Sequence, residues 1–378
     1  MAYEIGPIRP PSEAGSLLVR ITRNCPWNKC RFCSLYKGKS FSVRSREEIF
    51  QDIDTIRKFV EAFGEAADED SAPANVRMNN LKEKLVTENE RQAYHVARSW
   101  YAGGMKSVFL QDANSLVMKA SDLIDILRYL RDSFPHIERI TTYARSHTVA
   151  RIRDEDLEAM AEAGLNRIHI GMETACDEVL ELIEKGVDKA AHIQAGQKVK
   201  KTSMELSEYY MPGLGGMEYA QKSAWDTADA LNQINPDYIR IRTLVVHPRS
   251  RLFEDYQAGV FTRSNDVAMV QELMWMIEKL EGINSTLISD HIINLLPEVE
   301  GTLPRDKGHM LAVMKWFLAL PPEEGMVFRV GRRIGVMNQR EDLADERRRK
   351  RVDQMIRDNG ITLENVDQFT DTLIQRYI

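Results

Sequence analysis

The most constraining feature of this sequence is a regular alternation of short apolar segments with amphipathic ones between Lys106 and Val246. Segments such as KSVFLQD, IERITTYA and NRIHIG carry the β-branched and aromatic residues that favour buried strands. The segments between them, such as SDLIDILRYLRDSF and DEDLEAMAEAG, have helical periodicity and end at Pro135 and Gly164. Strands and helices that alternate at these lengths favour right-handed βαβ units and a parallel sheet.

The predicted fold class is therefore α/β: a partial (β/α)6 TIM-like barrel followed by a mostly helical C-terminal extension. We place an N-terminal lead-in at residues 1–15, the barrel at 16–260 and the extension at 261–378. Within the barrel, residues 64–95 are predicted to be an insertion that consists of a polar excursion and a helix. Functional groups of such barrels gather where strands end, so a site is expected at those positions.

Composition and charge exclude several classes of protein. Four cysteines in 378 residues are too few for a disulfide framework, and the N-terminal segment lacks the profile of a signal peptide. We therefore expect reduced thiols and a cytoplasmic protein. No apolar run approaches the roughly 20 residues that cross a bilayer, which argues against a membrane partner. The net charge of −6 argues against a nucleic-acid partner, and the run RRRKR at 347–351 is interpreted as a solvated helix face.

Three of the four cysteines, Cys25, Cys30 and Cys33, lie within nine residues, directly after the predicted strand SLLVRIT. Clustered reduced thiols bind zinc or iron–sulfur clusters. Structural zinc and [2Fe–2S] clusters need a fourth ligand, and Cys176 lies at the start of a predicted helix, where packing or capping is the simpler interpretation. Three thiols suit a [4Fe–4S] cluster that leaves one iron open. A non-catalytic zinc or [2Fe–2S] protein, for binding or electron transfer, is the alternative.

Two segments carry a resemblance to a known superfamily. The loop ends in Cys30-Arg31-Phe32-Cys33, and its position after the first strand resembles the cluster loop of radical S-adenosyl-L-methionine (SAM) enzymes. The gap between Cys25 and Cys30 is one residue longer than is usual there. The segment HIGMETACDEVLELIEKGVDK (169–189) is similar to the fourth-strand segment of the Elp3, MiaB and HemN group. The resemblance covers about residues 15–250.

This resemblance implies two cofactors, a [4Fe–4S] cluster and SAM, and an external one-electron donor of the flavodoxin or ferredoxin type. It implies reductive cleavage of SAM to a 5′-deoxyadenosyl radical that abstracts hydrogen from a substrate, under anaerobic conditions. We expect a small-molecule substrate. An RNA-modifying activity is the alternative within the enzyme class.

The resemblance also implies roles for individual residues, although it assigns no catalytic residue. The three clustered cysteines would be the metal ligands. Glu173, at a strand end, would accept hydrogen bonds from the SAM ribose or pair with its ammonium group, whereas a surface glutamate near a helix N-terminus is the alternative. The positions implied to contact SAM lie in the cysteine loop and at three strand ends: Phe32, Gln111, Asp112, Glu173, Gly213 and Gly215.

The remaining candidates follow from strand geometry. Arg240 and Arg242 alternate on the predicted sixth strand, so both side chains point to one side. Inside the barrel they would hold the SAM carboxylate or an anionic substrate; on the other side they would face helices or solvent. The candidate substrate pocket lies at the third strand end and in the segment SDHIIN, where a structural hydrogen-bond set is the alternative: Tyr143, Arg145, Asp290, His291 and Asn294.

Overall fold

The computed structural model of the chain describes residues 3–68, 78, 81–83 and 85–375. These residues form two compact units. Unit 1 comprises the described residues of Met1–Pro26, Gly38–Ile170 and Lys198–Glu205, and unit 2 those of Trp27–Lys37, Gly171–Gln197 and Leu206–Ile378.

Unit 1 is built on parallel strands that alternate with helices. Its strands are β1 (Leu17–Arg20), β2 (Thr22–Arg23), β3 (Ser42–Val43), β4 (Ser107–Gln111), β5 (Arg139–Ala144) and the first four residues of β6 (Arg167–Glu173). Its helices are α1 (Arg46–Asp68), α2 (Glu88–Ala102), α3 (Ala120–Ser133), α4 (Ser146–Val149) and α5 (Asp154–Glu162). Strands β1, β4, β5 and β6 pair in parallel in that order, whereas β2 and β3 form an antiparallel pair.

Local sequence explains the helices of unit 1. Helix α1 begins after Ser45, whose hydroxyl accepts a hydrogen bond from the Glu48 N–H at 3.2 Å, while the Glu48 carboxylate accepts one from the Ser45 N–H at 2.8 Å. These two reciprocal bonds form a capping box, for which Ser45 and Glu48 have the typical spacing. Ile49, Ile53 and Ile56 follow at helical spacing and are fully buried.

Unit 2 continues the pattern and adds a helical region. It contains the end of β6, then α6 (Asp177–Leu182), α7 (Lys189–Lys200) as far as Gln197, β7 (Glu205–Tyr210) from Leu206 onwards, α8 (Gly216–Ile234), β8 (Tyr238–Ile241), α9 (Arg251–Gln257), α10 (Asp266–Lys279), β9 (Thr286–Ile288), β10 (Gly301–Thr302), α11 (Lys307–Leu318), α12 (Pro322–Arg333), α13 (Glu346–Asp358) and α14 (Val366–Ile374). Strands β7, β8 and β9 are parallel, and β10 pairs antiparallel with β9.

The predicted α/β class with parallel strands is confirmed, but two details differ. The strand predicted through Val246 ends at Ile241, because the amide of Asn294, rather than a neighbouring strand, bonds the Thr243 N–H. The C-terminal extension, predicted to be mostly helical, also supplies β9 and β10. Much of the excursion predicted within 64–95 lies outside the described residues, and the domain boundaries stay predictions. Among the described helices, none is both long and apolar enough to cross a membrane.

A buried ion-pair network joins α10 and α12 within unit 2. The carboxylate of Asp266 accepts hydrogen bonds from Arg333 at 2.5 Å and Arg329 at 3.1 Å, and all three side chains are buried. Burial alone would raise the pKa of Asp266, but the two guanidinium groups hold this pKa below its usual value. This ion-pair network therefore stabilises the fold at pH values above about 3.9, the pKa of an aspartate in the unfolded chain. Its contribution is lost as the pH falls through the lower pKa that Asp266 has in the folded protein.

We expect Asp266→Asn to lower the thermal midpoint of unit 2 markedly, because it removes the carboxylate partner of the buried Arg333 and leaves Arg329 with Asp367 alone among the described carboxylates; breaking a buried ion pair in this way costs about 3–5 kcal/mol. Differential scanning calorimetry at pH 7 measures the change. The exposed Asp358→Asn is the matched control and should leave the midpoint unchanged. Equal midpoints for the two variants would contradict this account.

Candidate functional site

The cysteine loop follows β1 and β2 and precedes β3, so the antiparallel pair of β2 and β3 flanks it in the chain. Cys25 belongs to unit 1, whereas Cys30 and Cys33 belong to unit 2. A turn joins the last two, with the Cys33 N–H donating to the Cys30 carbonyl at 3.3 Å. All three thiols are partly exposed and none is in a disulfide. As partly exposed free thiols, they have the chemistry of iron–sulfur ligands.

Arg31 fixes the part of this loop that lies in unit 2. Its N–H donates to the Ile183 carbonyl and its carbonyl accepts from the Leu252 N–H, both at 2.9 Å. Its guanidinium group donates to Asp255 at 2.7 Å and to Glu184 at 3.0 Å. The backbone between Cys30 and Phe32 is therefore held from two directions.

Cys176 differs from the three cysteines of the loop in its burial and its neighbours. It is fully buried, and its Sγ contacts the Glu178 carboxylate at 3.3 Å. Burial is the main cause that raises the pKa of this thiol to about 11, which disfavours the thiolate that would bind a metal. The Lys222 ammonium donates to Glu178 at 2.9 Å and to Asp226 at 2.7 Å. The positive charge beside these two carboxylates is therefore already supplied by a lysine. These contacts support a packing role for Cys176.

Glu173 ends β6 with a left-handed backbone (φ 67°) and forms an ion pair with Lys185 at 3.2 Å. The side chains are only 13% and 10% exposed. The Lys185 ammonium also lies 5.6 Å from the centre of the Phe32 ring, a cation–π distance. Two predicted residues, Phe32 and Glu173, are thus brought together by a lysine to which no role was assigned. Lys185 stands in the segment IEKG, directly before Gly186, and this position was the available signal.

Glu208 on β7 is a second residue that the sequence analysis missed. It is 1% exposed, and neither carboxylate oxygen has a hydrogen-bond partner among the described residues. Burial raises the pKa of Glu208 well above its usual value; the charge of Glu173 raises it further, and that of Lys185 opposes the shift. Burial therefore favours the protonated form of Glu208, a form that can both donate and accept a hydrogen bond. No sequence pattern distinguishes Glu208, because an isolated glutamate in a strand is common.

Gln111 and Asp112, at the end of β4 in unit 1, contact the chain's own N-terminal segment and loop. The Gln111 amide accepts from the Gly6 N–H at 2.8 Å and donates to the carbonyls of Gly6 and Ile8. The Asp112 carboxylate accepts from Arg20 at 2.8 Å and from the Asn24 N–H at 3.2 Å. Their predicted SAM contact stays a prediction, and for Gln111 it requires this segment to move.

The two glycines after β7 pack closely against helices of unit 2. Gly213 has a left-handed backbone (φ 92°), and its N–H donates to the Glu272 carboxylate at 2.8 Å. A Cβ at Gly215 would lie 3.0 Å from Tyr219 and Val179. Burial raises the pKa of Glu272 to about 8, and this carboxyl also accepts from Tyr210 at 2.9 Å. The packing of this region accounts for the glycines without a ligand, so their predicted contact with SAM stays a prediction.

The candidate substrate residues fall into two groups. In unit 1, the Tyr143 ring lies edge-on to Phe109, with centroids 5.1 Å apart, and the Arg145 N–H donates to Asn114 at 3.3 Å. In unit 2, Arg240 pairs with Asp290 at 2.8 Å, and Asn294 bonds the backbone that follows β8. Asn294 and Asp290 thus belong to the structural hydrogen-bond set named as the alternative.

Comparison with known proteins identifies the superfamily. Residues 19–222, more than half of the chain, match the family model of the Radical SAM superfamily. The chain belongs to this superfamily. The predicted resemblance and the enzyme class are confirmed, and radical SAM enzymes use a [4Fe–4S] cluster and SAM.

Individual relatives are distant. The tRNA uridine(34) acetyltransferase of Methanocaldococcus jannaschii is 24% identical over 113 residues, which cover 29% of this chain and 20% of that protein. The Methanocaldococcus infernus protein of the same name is 24% identical over 109 residues, with the same coverage of 29% and 20%. This chain therefore matches about a fifth of the length of these curated relatives.

Solved structures share similarity at low identity. The radical SAM methyltransferase TsrM from Kitasatospora setae, with cobalamin and a [4Fe–4S] cluster bound, is 12% identical with a TM-score of 0.45 over 90% of this chain and 61% of that chain. Methylornithine synthase (PylB) is 12% identical with a TM-score of 0.43 over 80% and 81%. The archaeal Methanocaldococcus infernus Elp3 is 14% identical with a TM-score of 0.40 over 49% and 48%.

The two kinds of cysteine give a direct prediction. After anaerobic reconstitution, we expect the native protein to hold about four irons, and Cys30→Ala to lose them, because a three-thiol site cannot lose one thiolate and keep the cluster. Iron content and the visible absorption spectrum are the measurements. Cys176→Ala is the control and should keep its iron, since this thiol stays protonated; loss of iron there would make it a ligand.

Proposed function

We propose that this radical SAM enzyme binds SAM in unit 2 through Phe32, Lys185 and Glu173, and begins radical chemistry on a substrate from there. The observation that carries this proposal is the Glu173–Lys185 ion pair beside the aromatic residue of the cysteine loop. The cluster and SAM supply the electron transfer and the 5′-deoxyadenosyl radical when they are bound. The protein binds and orients them and excludes water.

The charges of this pair match those of the methionine part of SAM. A lysine ammonium can pair with the α-carboxylate, and a carboxylate can pair with the α-ammonium or accept hydrogen bonds from the ribose diol. Both side chains are largely buried. When a charged group of SAM replaces one partner of the ion pair, the new pair is still shielded from water, where electrostatic interactions are weaker. The buried Glu208 lies within electrostatic influence of the pair, and its carboxyl group supplies one more hydrogen-bonding group.

We expect Glu173→Gln and Lys185→Met each to weaken SAM binding by about tenfold or more, because a charge-assisted hydrogen bond is worth about 1.5–3 kcal/mol. Anaerobic calorimetric titration of the reconstituted protein with SAM measures the affinity. Iron content should stay at the native value, which separates a SAM contact from damage to the cluster loop. Native SAM affinity in both variants would refute the assignment.

The matched control for these variants is Glu178→Gln. This residue is an exposed glutamate of the same segment and pairs with Lys222 at 2.9 Å. It removes the same charge without touching Lys185. Its SAM affinity should equal that of the native protein.

RNA is a second candidate substrate, beside the small molecule that the acidic composition favours. The two curated relatives act on tRNA by name, so they do not support the expectation against a nucleic-acid partner. One surface of unit 2 also favours RNA. In α13, Arg348 pairs with Asp342 and Arg349 pairs with Glu324. Three exposed cations of the same helix pair with no carboxylate among the described residues: Arg347, Lys350 and Arg351.

These three side chains stand at i, i+3 and i+4 and therefore share one face of α13. If this face contacts RNA phosphates, the triple variant Arg347→Gln, Lys350→Gln, Arg351→Gln should bind a tRNA transcript more weakly, and the slope of log K against log salt should fall by about 0.7 for each lost contact. Fluorescence anisotropy over a salt series is the measurement.

The control triple variant removes three exposed cations of unit 1 that already face carboxylates: Lys106, Arg153 and Lys201. It changes the net charge by the same amount. An equal loss of affinity in both triple variants would show a general charge effect and would remove the argument for RNA.

A further inference from the structure

The loop that follows β9 is fixed against the end of β8 by one amide. The Asn294 Oδ1 accepts from the N–H and the hydroxyl of Thr243, both at 3.0 Å, and its Nδ2 donates to the Ile241 carbonyl at 2.8 Å and to Ser289 at 3.1 Å. All of these residues are buried. The two backbone neighbours of Arg242 are therefore clamped to this loop.

Arg240 also contacts the loop that follows β9, and its ion pair with Asp290 neutralises its charge. Its side chain is 3% exposed and donates to the Asp290 carboxylate at 2.8 Å. Its buried Nε–H has no acceptor among the described residues. An N–H left without an acceptor costs free energy, so an additional acceptor at this place would be stabilising.

Arg242 differs from Arg240 although the two are alike in sequence. It directly follows the last residue of β8, and its N–H donates to the Tyr210 carbonyl at 3.0 Å. Arg242 is exposed, and no carboxylate among the described residues of unit 2 pairs with it. It therefore carries a full positive charge beside a rigid loop.

His291 is the loop residue that supplies a second donor. Its Nδ1 accepts a long hydrogen bond from the Ile293 N–H at 3.4 Å, which assigns the ring proton of the neutral form to Nε2. Burial, and then the charge of Arg242, lower the pKa of His291 to about 4, against an opposing effect of Asp290. At pH 7 the imidazole is a neutral N–H donor, and it stands in the loop that the Asn294 amide holds against both backbone neighbours of Arg242.

We propose that Arg242 and His291 form a subsite that binds an oxyanion of the substrate, a phosphate or a carboxylate. A planar guanidinium group can bind two oxygens of such an anion, and a neutral imidazole N–H can donate to a third or share one of them. The SAM carboxylate already has Lys185 in the proposed function, so this subsite is assigned to the substrate; in this respect the inference rests on that function. Arg240, Asp290 and Asn294 act as positioning residues.

The test uses the full-length protein without reconstitution of the cluster, labelled with 13C at histidine Cε1. The chain has eight histidines, and His291→Gln assigns the resonance of interest. Inorganic phosphate and acetate are the probes, titrated separately at pH 7. Binding of either anion should shift the His291 resonance and raise its pKa, because a nearby negative charge favours the imidazolium form.

Arg242→Gln should reduce the affinity for the anion by about tenfold or more, because a charge-assisted hydrogen bond is lost. Arg249→Gln is the matched control, an exposed arginine of the same connection whose change should leave the titration unaltered. The tighter of the two probes identifies the group as phosphate or carboxylate. With phosphate, a nucleoside monophosphate and a short single-stranded RNA then distinguish a small ester from an RNA backbone.

Two results would overturn the subsite: no shift of the His291 resonance with either anion, or the same titration in Arg242→Gln as in the native protein. A loss of SAM affinity in reconstituted Arg242→Gln, as large as in Lys185→Met, would assign the arginine to SAM instead. Anion binding that persists while cluster assembly or SAM cleavage fails would refute the proposed function and leave the subsite in place.

Discussion

The double anchorage of Arg31 is the constraint on which the candidate site of unit 2 depends. A loop that must present thiols and an aromatic ring cannot use regular strand pairing, so its backbone groups need other partners. The backbone of Arg31 forms hydrogen bonds with the backbone of Ile183 and Leu252, and its guanidinium group donates to Glu184 and Asp255. Because Ile183 lies two residues before Lys185, the same anchorage brings Phe32 within reach of the lysine ammonium. The position of the aromatic ring and that of the ion pair are therefore not independent.

The sequence predicted the alternating strands and helices well, because their signals are local. β-branched runs, capping residues and terminating glycines all act within a few residues, and the capping box at Ser45 is an example. The end of β8 and the strands β9 and β10 were missed for the opposite reason. Asn294, about fifty residues downstream, competes for the backbone at Thr243, and no local pattern reports such a partner.

The candidate site divides in the same way. Glu173 and Phe32 could be named because they stand in motifs with fixed spacing, whereas Lys185 and Glu208 become visible only when tertiary contacts show what surrounds them. Gln111 illustrates a further difficulty. Its place at a strand end indicates a ligand, yet the amide bonds the backbone of Gly6 and Ile8, which are more than a hundred positions away. A strand-end position shows where a side chain begins but not which partner reaches it.

Glu208 shows why an unsatisfied group in this region matters for function. A buried carboxyl without hydrogen bonds costs about 1–3 kcal/mol even in its neutral form, and more when it is charged. An apolar residue would fill the strand position without that cost, and Ile239, its partner on β8, is apolar. Stability alone therefore does not explain a glutamate here. Burial is the main cause that raises the pKa of Glu208; the charge of Glu173 raises this pKa further and that of Lys185 opposes the shift, so a ligand that engages either residue also changes the pKa of Glu208. The pKa of Glu208 is thereby coupled to any ligand that binds the ion pair of Glu173 and Lys185, as expected of a group that responds to ligand binding.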